Sequence, residues 1–180
     1  MRYSDFVNYS RLNPFKKRIL KYIQPTFDNL SCLKIKIVKE SLGEPAVLLD
    51  FLEYDFLLAF KSDGVGTKTK IAEEMVKEKP KISSRKLYSG FGIDLIAMNA
   101  NDLICVGATP VALSDEIASG DSLWLRESEK VEGLLLGFKR GCREAGITIP
   151  CGETPTLVDI IYPQTLNITC LLYTSDAADE

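Results

Sequence analysis

Glycine recurs at every fourth position of one amphipathic segment, at Gly133, Gly137 and Gly141. Apolar residues in the segment follow helical spacing, and Asp121 or Ser122 can cap a helix that runs to about residue 145. Residues four apart lie on one face of a helix, so this face has no side chains at three successive turns. Because charged residues surround these glycines, the pattern predicts close helix packing rather than a helix dimer in a membrane.

A second long helix is predicted over Leu87–Val106, where apolar residues again recur at helical spacing and Gly107 suits a left-handed cap. Strand-like patterns are interleaved with the two helices, at Leu33–Val38, within Leu42–Phe60, at Thr109–Ile117 and at Ile147–Pro150. This alternation predicts an α/β or α+β layer fold.

The N-terminal region carries one further helical pattern. Pro14 can start this helix because proline is tolerated in a first turn. Its expected buried side consists of Phe15, Ile19, Leu20 and Ile23.

Composition excludes several classes of function. The formal charge of −3 over 180 residues provides no broad basic field for nucleic acid or an acidic membrane surface, and no apolar run is long enough for a membrane span. We therefore expect a cytoplasmic protein. Histidine is absent, which excludes Ser-His-Asp and Cys-His catalysis within this chain. The five cysteines form no CxxC pair, so neither a disulfide framework nor a zinc site is expected.

The segment Ser62–Lys68 carries the clearest chemical pattern. It follows the apolar run Phe56–Phe60 and contains a carboxylate, two glycines, a hydroxyl and a lysine. Backbone N–H groups in a glycine turn can form an anion site, Lys68 adds a positive charge, and Asp63 is an oxygen ligand suited to Mg²⁺. The segment predicts a metal–polyphosphate site, and its alternative is an ordinary turn after a strand.

Three further segments place polar groups among apolar ones, and they are Gly92–Asp94, Asn99–Asp102 and Cys151–Pro155. Asp94 and Asp102 are separated by roughly 12 Å along a helix, so they are not expected to hold the same ion. Asp102 lies near a helix C-terminus, which disfavours a carboxylate, and a Mg²⁺ shared with Asp63 would compensate. The alternatives are a helix N-cap for Asp94, a solvated side chain for Asp102 and a plain turn for Glu153 and Thr154. Together the segments predict a nucleotide-using enzyme.

These segments resemble the aminoimidazole ribonucleotide synthetase (phosphoribosylformylglycinamidine cyclo-ligase) family. The likeness runs collinearly from about Leu58 to Pro155. The matching blocks are Asp63–Lys68, Gly92–Met98, Asn101–Leu103, Val106–Pro110, Gly141–Gly146 and Gly152–Thr154.

The resemblance implies a mixed or antiparallel sheet of about four strands with two long helices packed on one face. It also implies an ATP- and Mg²⁺-dependent closure of an imidazole ring in purine biosynthesis, and a homodimer joined through the N-terminal sheets. Asp63 and Asp102 would hold the metal. The implied ATP and phosphate contacts are Asp63, Gly64, Gly66, Thr67, Lys68, Asp94 and Asn101, and the substrate side is Glu153 and Thr154.

Some positions depart from the family pattern. The Gly-rich loop expected before the Asp motif is reduced to Leu42–Pro45, and Cys151 replaces a glycine. Two alternatives therefore stay open. One is another ATP-using enzyme of the superfamily, such as a kinase, a selenophosphate synthetase-like or a hydrogenase-maturation-like protein. The other is a non-catalytic nucleotide-binding or dimerisation module.

The C-terminal segment 170–180 resembles translated sequencing-adaptor DNA, and the alternative is a genuine strand over Leu166–Tyr173 followed by a polar tail. Residues 1–169 are therefore expected to be the N-terminal ATP-binding domain of a longer enzyme, with a non-native tail at 170–180. The family's catalytic histidine and second domain have no counterpart in this chain. On this interpretation the catalytic residues lie in the missing domain, and the fragment is inactive.

Overall fold

A computed structural model describes residues 8–79 and 81–175 of the chain. The strands are β1 (Ile35–Ile37), β2 (Val47–Phe51), β3 (Leu57–Gly64), β4 (Ala112–Ser119), β5 (Thr148–Glu153) and β6 (Leu166–Ser175). The α-helices are α1 (Tyr9–Ile23), α2 (Gly66–Glu78), α3 (Ser84–Ile104) and α4 (Ser128–Ala145). Short 3-10 segments lie at Gln24–Leu33, Lys39–Ser41 and Trp124–Arg126.

The strands form one mixed sheet in the order β1-β2-β3-β6-β4-β5, in which only β4 and β5 run parallel. The expected mixed class is confirmed, but the described sheet has six strands rather than about four. Strand β6 joins the two parts of this sheet, because it lies between β3 and β4 and pairs antiparallel with both. Its alternate residues Leu166, Ile168, Cys170 and Leu172 are buried on the face covered by the helices.

Residues 170–175, expected to belong to a non-native tail, continue strand β6. Cys170 is paired with Asp63 on one side and with Asp115 on the other. The origin of this tail stays a prediction, and residues 176–180 lie outside the described residues.

Helices α3 and α4 pack directly against each other, as the repeated glycines predict. A Cβ atom at Gly133 would lie 2.9 Å from the Arg85 Cα, and one at Gly141 would lie 3.0 Å from the Ile96 Cβ. Helix backbones can approach this closely only where side chains are absent. The glycine pattern is therefore explained by this contact.

Two helix starts differ from the sequence expectation. Helix α1 begins at Tyr9, capped by the Asn8 side chain, and contains Pro14 in its interior. No residue of this described helix is buried, and Phe15 is 59% exposed, so its expected buried side is wrong. Asp121 accepts hydrogen bonds from the N–H groups of Leu123 and Trp124, just before the 3-10 segment that buries Trp124, whereas α4 begins only at Ser128 and has no side-chain cap.

The two faces of the sheet differ. One face packs against the long helices and contains the fully buried Ala59, Leu113 and Leu172. On the other face, apolar side chains of β1, β2 and β3 are only half-buried; they are Ile35, Ile37, Val47, Leu49, Phe51, Leu58 and Phe60. Within residues 8–79 and 81–175, no helix is long and apolar enough to cross a membrane.

Candidate functional site

The glycine motif does not form an extended loop, because most of its residues belong to strand β3 or helix α2. Strand β3 continues through Gly64 and helix α2 begins at Gly66, so Val65 alone separates them. The Gly64 N–H donates to its neighbour Asp63 Oδ1 at 2.7 Å, and the Val65 N–H donates to the Ile168 carbonyl at 2.9 Å. The N–H groups at the start of α2, near Gly66 and Thr67, are therefore the better candidates for holding an anion.

Both glycines of the motif also have a packing reason. A Cβ at Gly64 would lie 2.8 Å from the Ile168 carbonyl oxygen, and one at Gly66 would lie 2.6 Å from Asn167 Oδ1. The β6 backbone therefore excludes a larger residue at Gly64 whether or not a phosphate binds, whereas at Gly66 the Asn167 side chain could move aside.

Asp63 and Asp102 lie beside the same lysine ammonium. Lys61 and Asp63 project to one face of β3 because residues two apart in a strand share a face. Asp102 reaches this face from the last turn of α3. The Lys61 Nζ lies 2.9 Å from Asp102 Oδ2 and 3.8 Å from Asp63 Oδ2, so one cation contacts two carboxylates.

Lys61 was missed by the sequence reasoning. Its signal was its position two residues before Asp63 on the same strand face. Its side chain is 21% exposed and that of Asp102 is 26% exposed, whereas that of Asp63 is 42% exposed. The group is thus partly shielded from water and open on the Asp63 side.

Lys68 and Asp94 form a separate ion pair, each with about half of its side chain exposed. Asp94 lies within α3, whose cap is Ser83, so the alternative of an N-cap role for Asp94 is wrong. Asp94 and Asp102 contact different lysines. Thr67 and Asn101 are both exposed to solvent. Thr67 lies next to Lys68 at the start of α2, and Asn101 lies next to Asp102 near the end of α3.

Helices α2 and α3 line an open cleft next to the Lys68–Asp94 pair. Its volume is about 330 Å³, and its lining is Lys68, Ile71, Ala72, Met75, Leu87, Gly90, Phe91 and Asp94. The cleft is mainly apolar, with a charged pair on its wall. Its volume falls at the lower end of small-molecule sites.

Glu153 and Thr154 lie at the other side of the sheet. Glu153 is the last residue of β5 and is paired with Glu116 of β4. On the neighbouring strand β6, Thr169 is paired with Glu116 on one side and with Gly64 of β3 on the other. These three strand spacings place Glu153 roughly 14 Å from Gly64. Alternation along the strands also directs Glu153 to the face opposite Asp63. The structure therefore does not bring the expected substrate residues into contact with the carboxylate pair.

Glu73 anchors helix α2 to the rest of the fold, and the sequence reasoning missed it. Its buried carboxylate accepts hydrogen bonds from Lys130 Nζ at 2.8 Å, from Trp124 Nε1 at 3.1 Å and from the Tyr88 hydroxyl. Burial alone would raise the pKa of Glu73, but these hydrogen bonds and the Lys130 charge outweigh it and lower that pKa. The network fixes the helix whose first turn carries Gly66, Thr67 and Lys68.

The protein side chains offer two carboxylates for a metal ion. No group of three or more His, Cys, Asp or Glu residues with metal-binding geometry occurs in the described part of the chain. Mg²⁺ is usually held by one or two carboxylates together with phosphate oxygens and water. The Asp63–Asp102 pair fits this donor set, since its carboxylates already accommodate one cation.

The chain is similar in sequence to curated cyclo-ligases. The phosphoribosylformylglycinamidine cyclo-ligase of Thermococcus kodakarensis is 44% identical over 122 residues, which are 68% of this chain and 32% of that protein. The cyclo-ligase of Methanosarcina mazei is 40% identical over 147 residues, 78% of this chain and 39% of that protein. The chain therefore spans about a third of the length of these curated relatives.

A solved structure shows the same fold at low sequence identity. AaThiL complexed with AMPPCP and TMP aligns with a TM-score of 0.62 and 14% identity, covering 98% of this chain and 44% of that chain. The family described as AIR synthase related protein, N-terminal domain, matches residues 43–171, which include both lysine–aspartate clusters. The chain therefore belongs to the AIR synthase related family and contains its N-terminal domain.

Proposed function

We propose that this chain is the nucleotide-binding part of an ATP-dependent phosphoribosylformylglycinamidine cyclo-ligase, which closes an imidazole ring in purine biosynthesis. The relatives with this name support the activity. The single observation that carries the site is the convergence of Asp63 and Asp102 on one ammonium, although they are far apart in sequence.

In this proposal Asp63 and Asp102 hold Mg²⁺, which would neutralise charge on the ATP phosphates. The first turn of α2 and the Lys68 ammonium bind phosphate oxygens, because a helix N-terminus and a lysine both attract anions. Lys68 can do so after leaving Asp94, to which it is bonded here. The binding of AMPPCP by AaThiL, a protein of the same fold, supports a triphosphate ligand.

Glu153 and Thr154 are assigned to the substrate end of the site. Their separation of roughly 14 Å from Gly64 across the strands exceeds the reach of a phosphate group alone. A nucleotide substrate that extends across the end of the sheet would bridge this distance. The exposed Glu116, opposite Glu153, belongs to the same end.

A homodimer through the N-terminal sheet is part of the proposal. The half-buried apolar face of β1, β2 and β3 supports it, since an apolar face of this kind marks an interaction surface. Joining two such sheets would also cover the edge strand β1.

The reduced loop Leu42–Pro45 favours a second candidate, a nucleotide-binding module without turnover. The structure has turns and bends at residues 42–46. Formation of ADP from ATP with formylglycinamidine ribonucleotide, measured on the product of the complete gene, separates the two candidates. Turnover supports the cyclo-ligase, and nucleotide binding without turnover supports the module.

The metal assignment is tested by calorimetric titration of this chain with Mg–AMPPCP. We expect Asp63→Asn and Asp102→Asn each to weaken binding by at least about tenfold, because each removes a charged ligand of the ion. Asp50→Asn is the matched control, since Asp50 contacts Lys36 at 2.9 Å on the β1–β2 ladder. Unchanged affinity in both site variants would reject the assignment.

A further inference from the structure

Lys61 is placed differently from every other lysine of the candidate site. Its ammonium lies 2.9 Å from Asp102 Oδ2 and 3.8 Å from Asp63 Oδ2, so it is within ion-pair distance of both carboxylates, and its side chain is 21% exposed. Lys68, by contrast, is paired with Asp94 and is about half exposed. Lys61 is therefore the cation that already neutralises the two carboxylates that would hold a divalent ion.

We propose that Lys61 is an internal counter-ion that competes with the divalent cation and makes metal binding depend on the phosphates. This inference rests on the metal site of the proposed function and assigns a positioning role to a residue outside the motif. Two cations cannot contact the same carboxylate oxygens at close range without repulsion. Lys61 therefore has to move off the aspartates when a metal ion binds.

The charge balance explains why the phosphates favour this movement. With Lys61 alone, the two aspartates leave the cluster with one net negative charge, which repels a polyphosphate. With a divalent cation added, the cluster carries one net positive charge and the Lys61 ammonium is released. A released ammonium can then bind a phosphate oxygen, so the loaded site attracts the triphosphate and metal binding and nucleotide binding reinforce each other.

An ordinary structural ion pair would behave differently. If Lys61 only stabilised the fold by contacting Asp102, its replacement would lower the free energy of unfolding without a specific effect on metal affinity. Lys36–Asp50 provides this comparison within the same sheet, because its contact distance is also 2.9 Å. Lys36→Met is therefore the matched control for Lys61→Met, which removes the charge and keeps most of the length of the side chain.

The first experiment measures binding of Mn²⁺ alone by its electron paramagnetic resonance signal. We expect Lys61→Met to bind Mn²⁺ on the order of tenfold more tightly than the unmodified chain, as expected when a unit charge near a divalent ion is removed at solvent-like dielectric. Lys61→Arg retains the charge and Lys36→Met lies elsewhere, so both should keep the original affinity. Equal or weaker binding by Lys61→Met overturns the proposal, as does the absence of Mn²⁺ binding by both proteins.

The second experiment measures binding of Mn–AMPPCP by calorimetry. We expect the ratio of the affinity for Mn–AMPPCP to that for free Mn²⁺ to fall on the order of tenfold in Lys61→Met, because its loaded site has no net positive charge. An unchanged ratio overturns the coupling. If Asp63→Asn and Asp102→Asn weaken Mn–AMPPCP binding while Lys61→Met behaves like the unmodified chain, the proposed function stands and this inference fails. If neither Asp63→Asn nor Asp102→Asn weakens binding of Mn–AMPPCP, the proposed metal site is rejected as well.

Discussion

Replacement of Gly137 by alanine tests the contact that joins the two long helices. A Cβ at this position would overlap the carbonyl oxygen of Ser89 and lie 2.9 Å from the Gly92 Cα. Both neighbours are backbone atoms of α3, so relief requires the two helices to separate. Overpacking typically costs about 1–3 kcal/mol, while glycine to alanine in a helix gains roughly 0.5–1 kcal/mol. The net of these two effects is an expected decrease of about 1 kcal/mol in the free energy of unfolding of Gly137→Ala.

Gly90 provides the matched control on α3, because a Cβ there meets no heavy atom within 4 Å. Gly90→Ala should raise the free energy of unfolding by roughly 0.5–1 kcal/mol through helix propensity alone. Urea unfolding followed by far-ultraviolet circular dichroism measures both variants, and the difference between them isolates the packing cost. If Gly137→Ala proves as stable as Gly90→Ala, the helices are not in the close contact described here.

Two further predictions concern buried polar groups. Glu73→Gln should lower the free energy of unfolding at neutral pH by about 3 kcal/mol, because it leaves the Lys130 charge without its partner. Since the fold lowers the pKa of Glu73, its stabilisation is present above the pKa of an unfolded glutamate and is lost as pH falls through the lower folded pKa. In urea unfolding, the difference in free energy of unfolding between the unmodified chain and Glu73→Gln should therefore become smaller below about pH 4. The control Glu144→Gln, which breaks an exposed ion pair, should stay within about 0.5 kcal/mol of the unmodified chain at every pH. A difference for Glu73→Gln that does not change with pH would contradict the prediction. Asn99 is fully buried, and its Oδ1 has no hydrogen-bond partner among the described residues. Asn99→Leu should therefore raise the free energy of unfolding by about 1 kcal/mol. A lower free energy of unfolding would show that this oxygen has a hydrogen-bond partner.

The sequence was most informative where a pattern had one physical cause. The glycines of α4 could be interpreted because only close helix packing requires their spacing. The end of α4 at Ala145 was also expected from the sequence, whereas its start at Ser128 lies later than the Asp121 or Ser122 cap that the pattern suggested. Helix α1 was misjudged because amphipathic spacing shows which face is apolar and not whether another element covers that face, and Phe15 is mostly exposed.

The candidate site was only partly predictable for a related reason. Asp63 and Asp102 were named from their residue type and neighbouring motif, but their common contact with Lys61 depends on where α3 crosses β3. Glu73 gave no sequence signal, because an isolated glutamate in an amphipathic helix usually faces water. Its three donors come from separate elements, at Tyr88, Trp124 and Lys130. Such convergence is a property of the tertiary fold.

The central position of β6 has a consequence for biosynthesis. This strand is the last described segment of the chain, yet it lies between β3 and β4 and supplies the partner of Asp63 and Gly64. About a hundred residues must therefore leave the ribosome before β3 acquires its second neighbour, and contacts of such high sequence separation form slowly. During that interval β3 has an unpaired edge, and an edge of this kind is a site at which other chains can join the sheet.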